Sequence, residues 1–299
     1  MNATRVVKLG RLLSLIFFLN LALATTYPLT VTDDLGVEVT IEAEPMRVVS
    51  MLPSYTETLC AVDACDKLVG VDRYSDFPAQ VQALPDLGGA LSETNIEALV
   101  ALEPDLVLVS ESGDLAQILR DLGLKVHAGS PQTFEETFDY FERVGAMVNR
   151  EAQAQALTAD TRLEIEEVET RTQSLDAPSV YYEIDATPYS VGPTSFIGTL
   201  IQKAGGDNIV SAEQGDFPQL EPEYIVSQNP DIIILGNAPS GESMETLAAR
   251  PGFGSLTAVQ GGRVVELSEE QVNIMNRPGP RIAEAAKLLA SIFHPEAFD

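Results

Sequence analysis

Two stretches decide the fold: residues 95–109 read NIEALVALEPDLVLV, and residues 221–235 read EPEYIVSQNPDIIIL. In each copy, apolar residues at helical spacing run into a proline that ends the helix. Four branched apolar residues follow and predict a strand buried on both faces. The copies therefore predict two related α/β lobes, with a small ligand expected between them. At a fixed offset of 126 residues, the equivalent pairs are Glu97 and Glu223, Leu99 and Ile225, Pro104 and Pro230, and Asp105 and Asp231.

Strand and helix patterns alternate around both copies, which favours parallel sheets covered by helices. Between them, the stretch from Glu151 to Leu175 has no glycine, is rich in Glu, Ala, Gln and Arg, and is stopped by Pro178. We therefore predict an α/β protein with two lobes, each built on a central, mostly parallel sheet, joined by one long helix. The expected boundaries are 25–150 for the N-terminal lobe, 151–176 for the linking helix and 177–299 for the C-terminal lobe.

The first 24 residues have the pattern of a secretory signal peptide. Arg5, Lys8 and Arg11 precede an apolar run over 12–23 that closes on an A-L-A sequence at Ala24. The run is short for a membrane span. The sequence therefore predicts cleavage after residue 24 and a periplasmic protein, with an uncleaved anchor helix as the alternative.

The chain is strongly acidic, with 45 Asp and Glu residues against 18 Lys and Arg residues and a net charge of -27. Loss of the three basic residues in 1–24, which contains no acidic residue, would take the net charge to -30. That charge repels phosphate backbones and anionic lipids, so nucleic acid is excluded as a partner. Solubility or a saline habitat is the simplest reason for the acidity.

Cys60 and Cys65 are the two cysteines of the chain. Export would permit a disulfide, but a five-residue separation bridges only where the chain turns to bring the Cα atoms within about 7 Å. A disulfide and a pair of partly buried thiols are therefore both open. Without a nearby histidine, the two cysteines do not predict a zinc site.

Motifs for nucleotide binding and serine hydrolysis are absent: the chain contains no G-x-G-x-x-G, no G-x-x-x-x-G-K-S/T and no G-x-S-x-G. The two histidines, His127 and His294, exclude a three-histidine metal site, and His127, at the end of a predicted strand, is interpreted as structural. The sequence predicts neither an enzyme nor a resident cofactor. The rival from another class is an exported enzyme that uses Tyr, Asp and Glu side chains as acid and base in the same cleft.

Six segments in order along the chain resemble a known family. The chain is similar to the substrate-binding proteins of ABC importers for cobalamin and iron-siderophore complexes, the class III periplasmic binding proteins. The resemblance covers essentially the whole chain after residue 24. Its segments are TVTDDLG-x-x-VTI, RVVSMLPSYTETL, KLVGVDRYSDFP, IEALVALEPDLVLVS, YSVGPTSFIGTLIQKAGGDNIV and RPGPRIAEAAK.

This resemblance implies a monomer of two Rossmann-like lobes joined by one long helix. It holds a corrinoid or a ferric chelate between the lobes and moves little at the hinge. It also implies docking on arginines of an inner-membrane permease dimer through one glutamate per lobe, here Glu97 and Glu223. The internal repeat pairs the same two positions. Haem is an alternative ligand, for which Tyr55 or Tyr74 would serve as an axial ligand.

The positions that match the family's ligand cleft are mostly in loops before helices. Aromatic rings there would suit a flat macrocycle, and an arginine would suit an anionic carboxylate or phosphate. The chain departs from the cobalamin-binding pattern because it has no tryptophan. The expected ligand-binding residues are Ser54, Tyr55, Tyr74, Gly89, Ser92, Phe217 and Arg277, with Arg73 as a second candidate cation.

Overall fold

The structure is a computed structural model that describes residues 25–89 and 93–298. The predicted signal peptide, 1–24, lies outside the described residues. Among the helices that are described, none combines the length and the apolar character needed to cross a membrane. The described chain begins with an antiparallel hairpin of β1 (Leu29–Thr32) and β2 (Glu38–Ile41), which turns at Gly36 with a left-handed φ of 77°.

The N-terminal lobe is a four-stranded parallel sheet with helices in the connections. Its strand order is β4 (Leu68–Val71), β3 (Val48–Ser50), β5 (Leu106–Val109) and β6 (Val126–Ala128). Each strand is three or four residues long and mostly buried, as expected for a sheet covered on both faces. The elements are β3 (Val48–Ser50), α1 (Pro53–Ala61), β4 (Leu68–Val71), α2 (Ile96–Ala101), β5 (Leu106–Val109), α3 (Leu115–Asp121), β6 (Val126–Ala128) and α4 (Phe134–Met147).

The long helix predicted after this lobe is present as α5 (Glu151–Thr172). It begins at the predicted residue and ends a few residues before the predicted stop. One face is buried through Ile165 and Val168, and the helix packs against α4. Most of the other positions are polar or charged and lie at the surface, which explains why the helix shows little apolar periodicity in its sequence.

The C-terminal lobe repeats the topology of the first. Strand β7 (Ser179–Asp185) pairs in parallel with β10 (Ile232–Leu235) on one side and with β9 (Asp207–Asn208) on the other, and β10 pairs in parallel with β11 (Val264–Glu266). Strand β8 is the exception, an antiparallel neighbour of the end of β7. The elements are β7 (Ser179–Asp185), β8 (Tyr189–Ser190), α6 (Phe196–Lys203), β9 (Asp207–Asn208), α7 (Pro222–Gln228), β10 (Ile232–Leu235), α8 (Met244–Ala248), α9 (Thr257–Gln260), β11 (Val264–Glu266), α10 (Glu269–Asn276), α11 (Ile282–Phe293) and α12 (Pro295–Phe298).

The parallel strands of the two lobes therefore have the same order, β4-β3-β5-β6 and β9-β7-β10-β11. The repeated segments occupy equivalent places, since α2 precedes β5 and α7 precedes β10. Equivalent residues even share an unusual backbone: Glu103 and Asn229 both have a φ of 46° just before the proline. The predicted α/β fold of two related, mainly parallel lobes is confirmed.

The repeated aspartates have the same structural role in both lobes. Asp105 Oδ2 accepts hydrogen bonds from the backbone N–H groups of Met46, at 2.8 Å, and Arg47, at 2.9 Å, just before β3. Asp231 Oδ2 accepts one from the N–H of Ser179, at 2.9 Å, where β7 begins. The hydrogen bonds from Ser179 hold the pKa of Asp231 below its usual value. In each lobe the aspartate thus ties the start of one core strand to its neighbour.

One hydrophobic core runs through both lobes. The same cluster of buried side chains contains Phe141 of α4, Ile165 of α5, and Leu200 and Leu289 of the C-terminal lobe. Helix α5 lies between α4 and α11 and covers this core. Smaller clusters fill the other face of each sheet. The lobes are therefore joined by packed side chains as well as by the chain itself.

Candidate functional site

A cavity of about 370 Å³ lies between the lobes. It is formed where β3, β6 and β7 end at their carboxyl edges, the usual place for a ligand in an open parallel sheet. From the N-terminal lobe it is lined by Leu52, Pro53, Ser54, Ser130, Pro131 and Gln132, and from the C-terminal lobe by Ile184, Phe196, Ile197, Phe217, Asn276, Arg277 and Pro278.

Two helices begin at this cavity, one from each lobe. Helix α1 starts at Pro53, whose missing N–H costs nothing at the first helical position. Helix α6 starts at Phe196, after Ser195 Oγ accepts a hydrogen bond of 3.1 Å from the Gly198 N–H. The positive ends of both helix dipoles therefore face the cleft. The arrangement favours hydrogen-bond acceptors on a ligand.

Arg277 lines the cavity, as expected, but its guanidinium is already paired. Nη1 donates to Glu57 Oε1 at 2.9 Å and to Asp76 Oδ1 at 2.5 Å, and Nη2 donates to the Tyr74 carbonyl oxygen at 2.9 Å. Only 11% of the side chain is exposed. The expected cation is therefore present in the cleft with its charge compensated by the protein.

Arg281 completes a buried cluster with the same glutamate. Its Nε donates to Glu57 Oε2 at 2.9 Å and its Nη2 donates to Glu57 Oε1 at 2.8 Å, and both side chains are buried. The guanidinium also stacks on Phe77, 4.3 Å from the ring centroid. Sequence reasoning missed Glu57 and Arg281. The available signal was their presence in the quoted segments RVVSMLPSYTETL and RPGPRIAEAAK, which meet here.

Tyr55 does not lie in the cleft, and its assignment as a ligand-binding residue or haem ligand is wrong. Its side chain is fully buried, 4.6 Å from the Tyr140 ring, and its hydroxyl lies 2.9 Å from His127 Nδ1. Burial raises the pKa of Tyr55 and lowers the pKa of His127 to about 4. Neighbouring residues on a helix point to different faces, so Ser54 meets the cleft while Tyr55 enters the core. His127 is buried in the core.

Phe217 lines the cavity with 55% of the residue exposed. Tyr74 and Gly89 are not among the described residues that line it. Tyr74 is 63% exposed, and only its carbonyl oxygen contacts Arg277. Gly89 is buried and accepts a hydrogen bond from Thr94 Oγ1. Neither residue lines this cavity, and their contribution to ligand binding stays a prediction.

Two further sequence expectations concern the region beside Gly89. Ser92 lies outside the described residues. Arg73, the second candidate cation, pairs with Glu93 at 3.1 Å on the surface and does not line the cavity. Of the seven expected ligand residues, the structure therefore brings together Ser54, Phe217 and Arg277.

Glu97 and Glu223 occupy the same place in the two lobes. Each is the second residue of a short helix, α2 or α7, that leads into a buried strand. Both are exposed. Neither lines the cavity between the lobes, although Glu223 borders a separate groove of about 480 Å³. Both carboxylates therefore lie on the surface, away from the cavity between the lobes.

Cys60 and Cys65 are joined in a disulfide, with their Cα atoms 4.1 Å apart. The chain turns between them at Asp63, which has a φ of 60°. Of the two alternatives left open by the sequence, the disulfide is therefore confirmed. It closes the end of α1 that lies away from the cleft.

Comparisons with known proteins agree with this geometry. A family model described as periplasmic binding protein matches residues 48–271. A cobalamin-binding protein of Halobacterium salinarum is 32% identical over 282 residues, covering 91% of this chain and 75% of that protein. Among solved structures, a possible iron-binding (periplasmic solute-binding) protein of Staphylococcus epidermidis has a TM-score of 0.74 and 28% identity, covering 84% of this chain and 100% of that chain. The periplasmic vitamin B12 binding protein BtuF of Vibrio cholerae has a TM-score of 0.68 and 25% identity, and the match covers 85% of this chain and 98% of that chain.

Proposed function

This chain belongs to the periplasmic binding protein family, and we propose that it is the substrate-binding component of an ABC importer. It captures a cobalamin-like corrinoid or a ferric-siderophore complex between its lobes and delivers it to a permease dimer in the inner membrane. The observation that carries the proposal is the cavity at the carboxyl ends of the strands of two repeat-related lobes. Its export through a cleaved signal peptide at 1–24 and its monomeric state belong to the same proposal.

The wall of the cavity favours the corrinoid over the ferric chelate. Its apolar side chains include Ile184, Phe196 and Phe217, which offer a surface to a flat macrocycle. Its polar groups include the amides of Gln132 and Asn276, which suit the amide-bearing rim of a corrinoid. A volume of about 370 Å³ is at the low end for a ligand pocket, so a large ligand would extend from the open cleft.

Two alternatives have less support. Haem needs an axial ligand. Because Tyr55 is buried in the core, the remaining candidate of the two is the exposed Tyr74 at the edge of the cleft. An enzyme acting in the same cleft needs an acid and a base. Among the described residues that line the cavity there is no Asp, Glu, Tyr or His, which supports a binding role without catalysis.

Isothermal titration calorimetry with cobalamin, its precursor cobinamide and a set of ferric siderophores tests the ligand class. We expect cobalamin or cobinamide to bind at the cleft and to be recovered chemically unchanged. Chemical alteration of the ligand would support an enzyme instead. No binding of any member of the set would reject both versions of the ligand proposal.

We also propose that Glu97 and Glu223 dock the protein on the permease. A partner built from two similar subunits would meet equivalent charges on two equivalent lobes, and exposed carboxylates suit cationic side chains on it. Replacing both glutamates by arginine should abolish ligand uptake in the host while calorimetry shows nearly unchanged ligand affinity. Matched replacement of Glu213 and Glu245, two exposed glutamates elsewhere on the C-terminal lobe, should leave uptake intact. Loss of ligand affinity in the Glu97 and Glu223 variant would refute the docking role.

A further inference from the structure

Glu57 does not line the cavity, but it pairs with Arg277, which does. We infer that Glu57 is a specificity-determining residue: it neutralises the cationic side of the cleft, so that uncharged ligands are accepted and anionic chelates are disfavoured. The inference rests on the proposed function, because it assigns the ligand to this cleft. It adds the reason for a preference between the two ligand classes.

Glu57 is placed to act on the cleft from behind its wall. It follows Ser54 by three residues on α1, but it is buried and is not among the lining residues. Its Oε1 accepts hydrogen bonds from both Arg277 and Arg281, and its Oε2 accepts one from Arg281. A single carboxylate therefore holds two guanidinium groups that belong to the other lobe.

The charges of the four ion-paired side chains cancel. Glu57 and Asp76 balance Arg277 and Arg281, and Arg277 is the one charged residue among the described residues that line the cavity. The polar wall from the N-terminal lobe is also biased against anions. Ser130 Oγ and Gln132 Nε2 both donate to Glu111, at 2.7 Å and 3.0 Å.

An anionic ligand therefore meets no uncompensated positive side chain in the cavity wall. It would have to displace Glu57 or Asp76 from Arg277, at the cost of leaving a carboxylate unpaired. An uncharged ligand faces no such exchange. If Glu57 loses its charge, the cluster gains one unit of positive charge relative to the wild type, and the carboxylate partner left to Arg277 is the partly exposed Asp76.

Calorimetric titration with ferric citrate, an anionic chelate, and with cyanocobalamin, which has no net charge, tests this inference. Glu57→Gln should raise the affinity for ferric citrate about tenfold, the effect of one unit charge at roughly 10 Å in an effective dielectric of about 20. High salt should reduce the gain. The affinity for cyanocobalamin should change by less than about threefold, because no contact with an uncharged ligand depends on that charge.

Two further variants separate charge from structure. Glu57→Gln combined with Arg281→Gln restores a neutral cluster of Asp76 and Arg277 and should return the ferric citrate affinity to that of the wild type. Glu164→Gln removes a carboxylate from an exposed pair with Lys287 and changes the net charge equally, and it should have no effect on either probe.

Circular dichroism and thermal unfolding establish that each variant is folded. If Glu57→Gln does not fold, Asp76→Asn should give the same gain in ferric citrate affinity. Asp76 is 46% exposed, and its replacement leaves the buried ion pair of Glu57 and Arg281 intact. A folded variant of either kind that binds ferric citrate no better than the wild type overturns the inference. Failure of the wild type to bind cyanocobalamin would instead reject the ligand class, while the gain for ferric citrate would still support the role of Glu57.

Discussion

Replacement of Phe217 by alanine should weaken ligand binding more than any other single change in the apolar wall of the cleft. With 55% of the residue exposed and an aromatic side chain of about 200 Å², roughly 110 Å² is available for a ligand to cover. At about 25 cal/mol per Å², complete coverage contributes about 2.7 kcal/mol. Allowing for incomplete coverage, we expect a loss of about 1 to 3 kcal/mol, or roughly 5-fold to 150-fold in affinity.

The matched control for this prediction is Tyr189→Ala. Tyr189 is also an exposed aromatic residue of the C-terminal lobe, at 40%, but it does not line the cavity. Calorimetry should show that this variant binds as the wild type does, and thermal unfolding should show similar melting temperatures for both variants. The reasoning would be refuted by affinities within twofold of the wild type for Phe217→Ala, or by equal losses in the two variants. Tyr74→Ala should have a smaller effect than Phe217→Ala, because Tyr74 lies outside the cavity wall.

Three further predictions concern the scaffold. Small-angle scattering should give nearly the same radius of gyration with and without ligand, because α5 and the shared core join the lobes, and a marked compaction on binding would contradict this. His127 has a pKa of about 4 in the folded protein against 6.5 for the free side chain, so the unfolded chain binds the extra proton first as the pH falls. The free energy of unfolding should therefore drop by about 3 kcal/mol between pH 6.5 and pH 4 from this group, and urea titrations of His127→Asn should lack that part of the loss. Arg250→Met should destabilise the protein by about 3 to 5 kcal/mol in the same denaturant assay, because it leaves the fully buried Glu183 without its cationic partner. Lys203→Met breaks a more exposed pair with Glu169 and should cost less than about 1 kcal/mol.

The fold was accessible from the sequence because its signals are local. Helical spacing, a proline and a run of branched residues lie within fifteen positions in each repeat, and the recurrence of Asp105 at Asp231 identified two lobes of one design. The linking helix was also predicted, since a long segment without glycine or proline has few other structures available. Strand β8, only two residues long, carried no such signal.

The candidate site was less accessible because its geometry is not local. Ser54 and Tyr55 are adjacent in sequence, and only the packing of α1 decides which of them faces the ligand. The partners of Arg277 and Arg281 are more than 200 residues away in Glu57, so no spacing rule could pair them. Sequence reasoning therefore found the cation in the cleft but not the carboxylate that neutralises it.

The shared core has a consequence for folding. Since Phe141, Ile165 and Leu289 belong to one cluster, neither lobe completes its own interior without the other and without α5. The chain repeats a unit in sequence, yet it has to fold cooperatively as a single body. A half-chain would leave this apolar face uncovered and prone to pair with another copy. The second lobe thus contributes its own wall to the cleft and also covers the apolar face that the first lobe would otherwise expose to water.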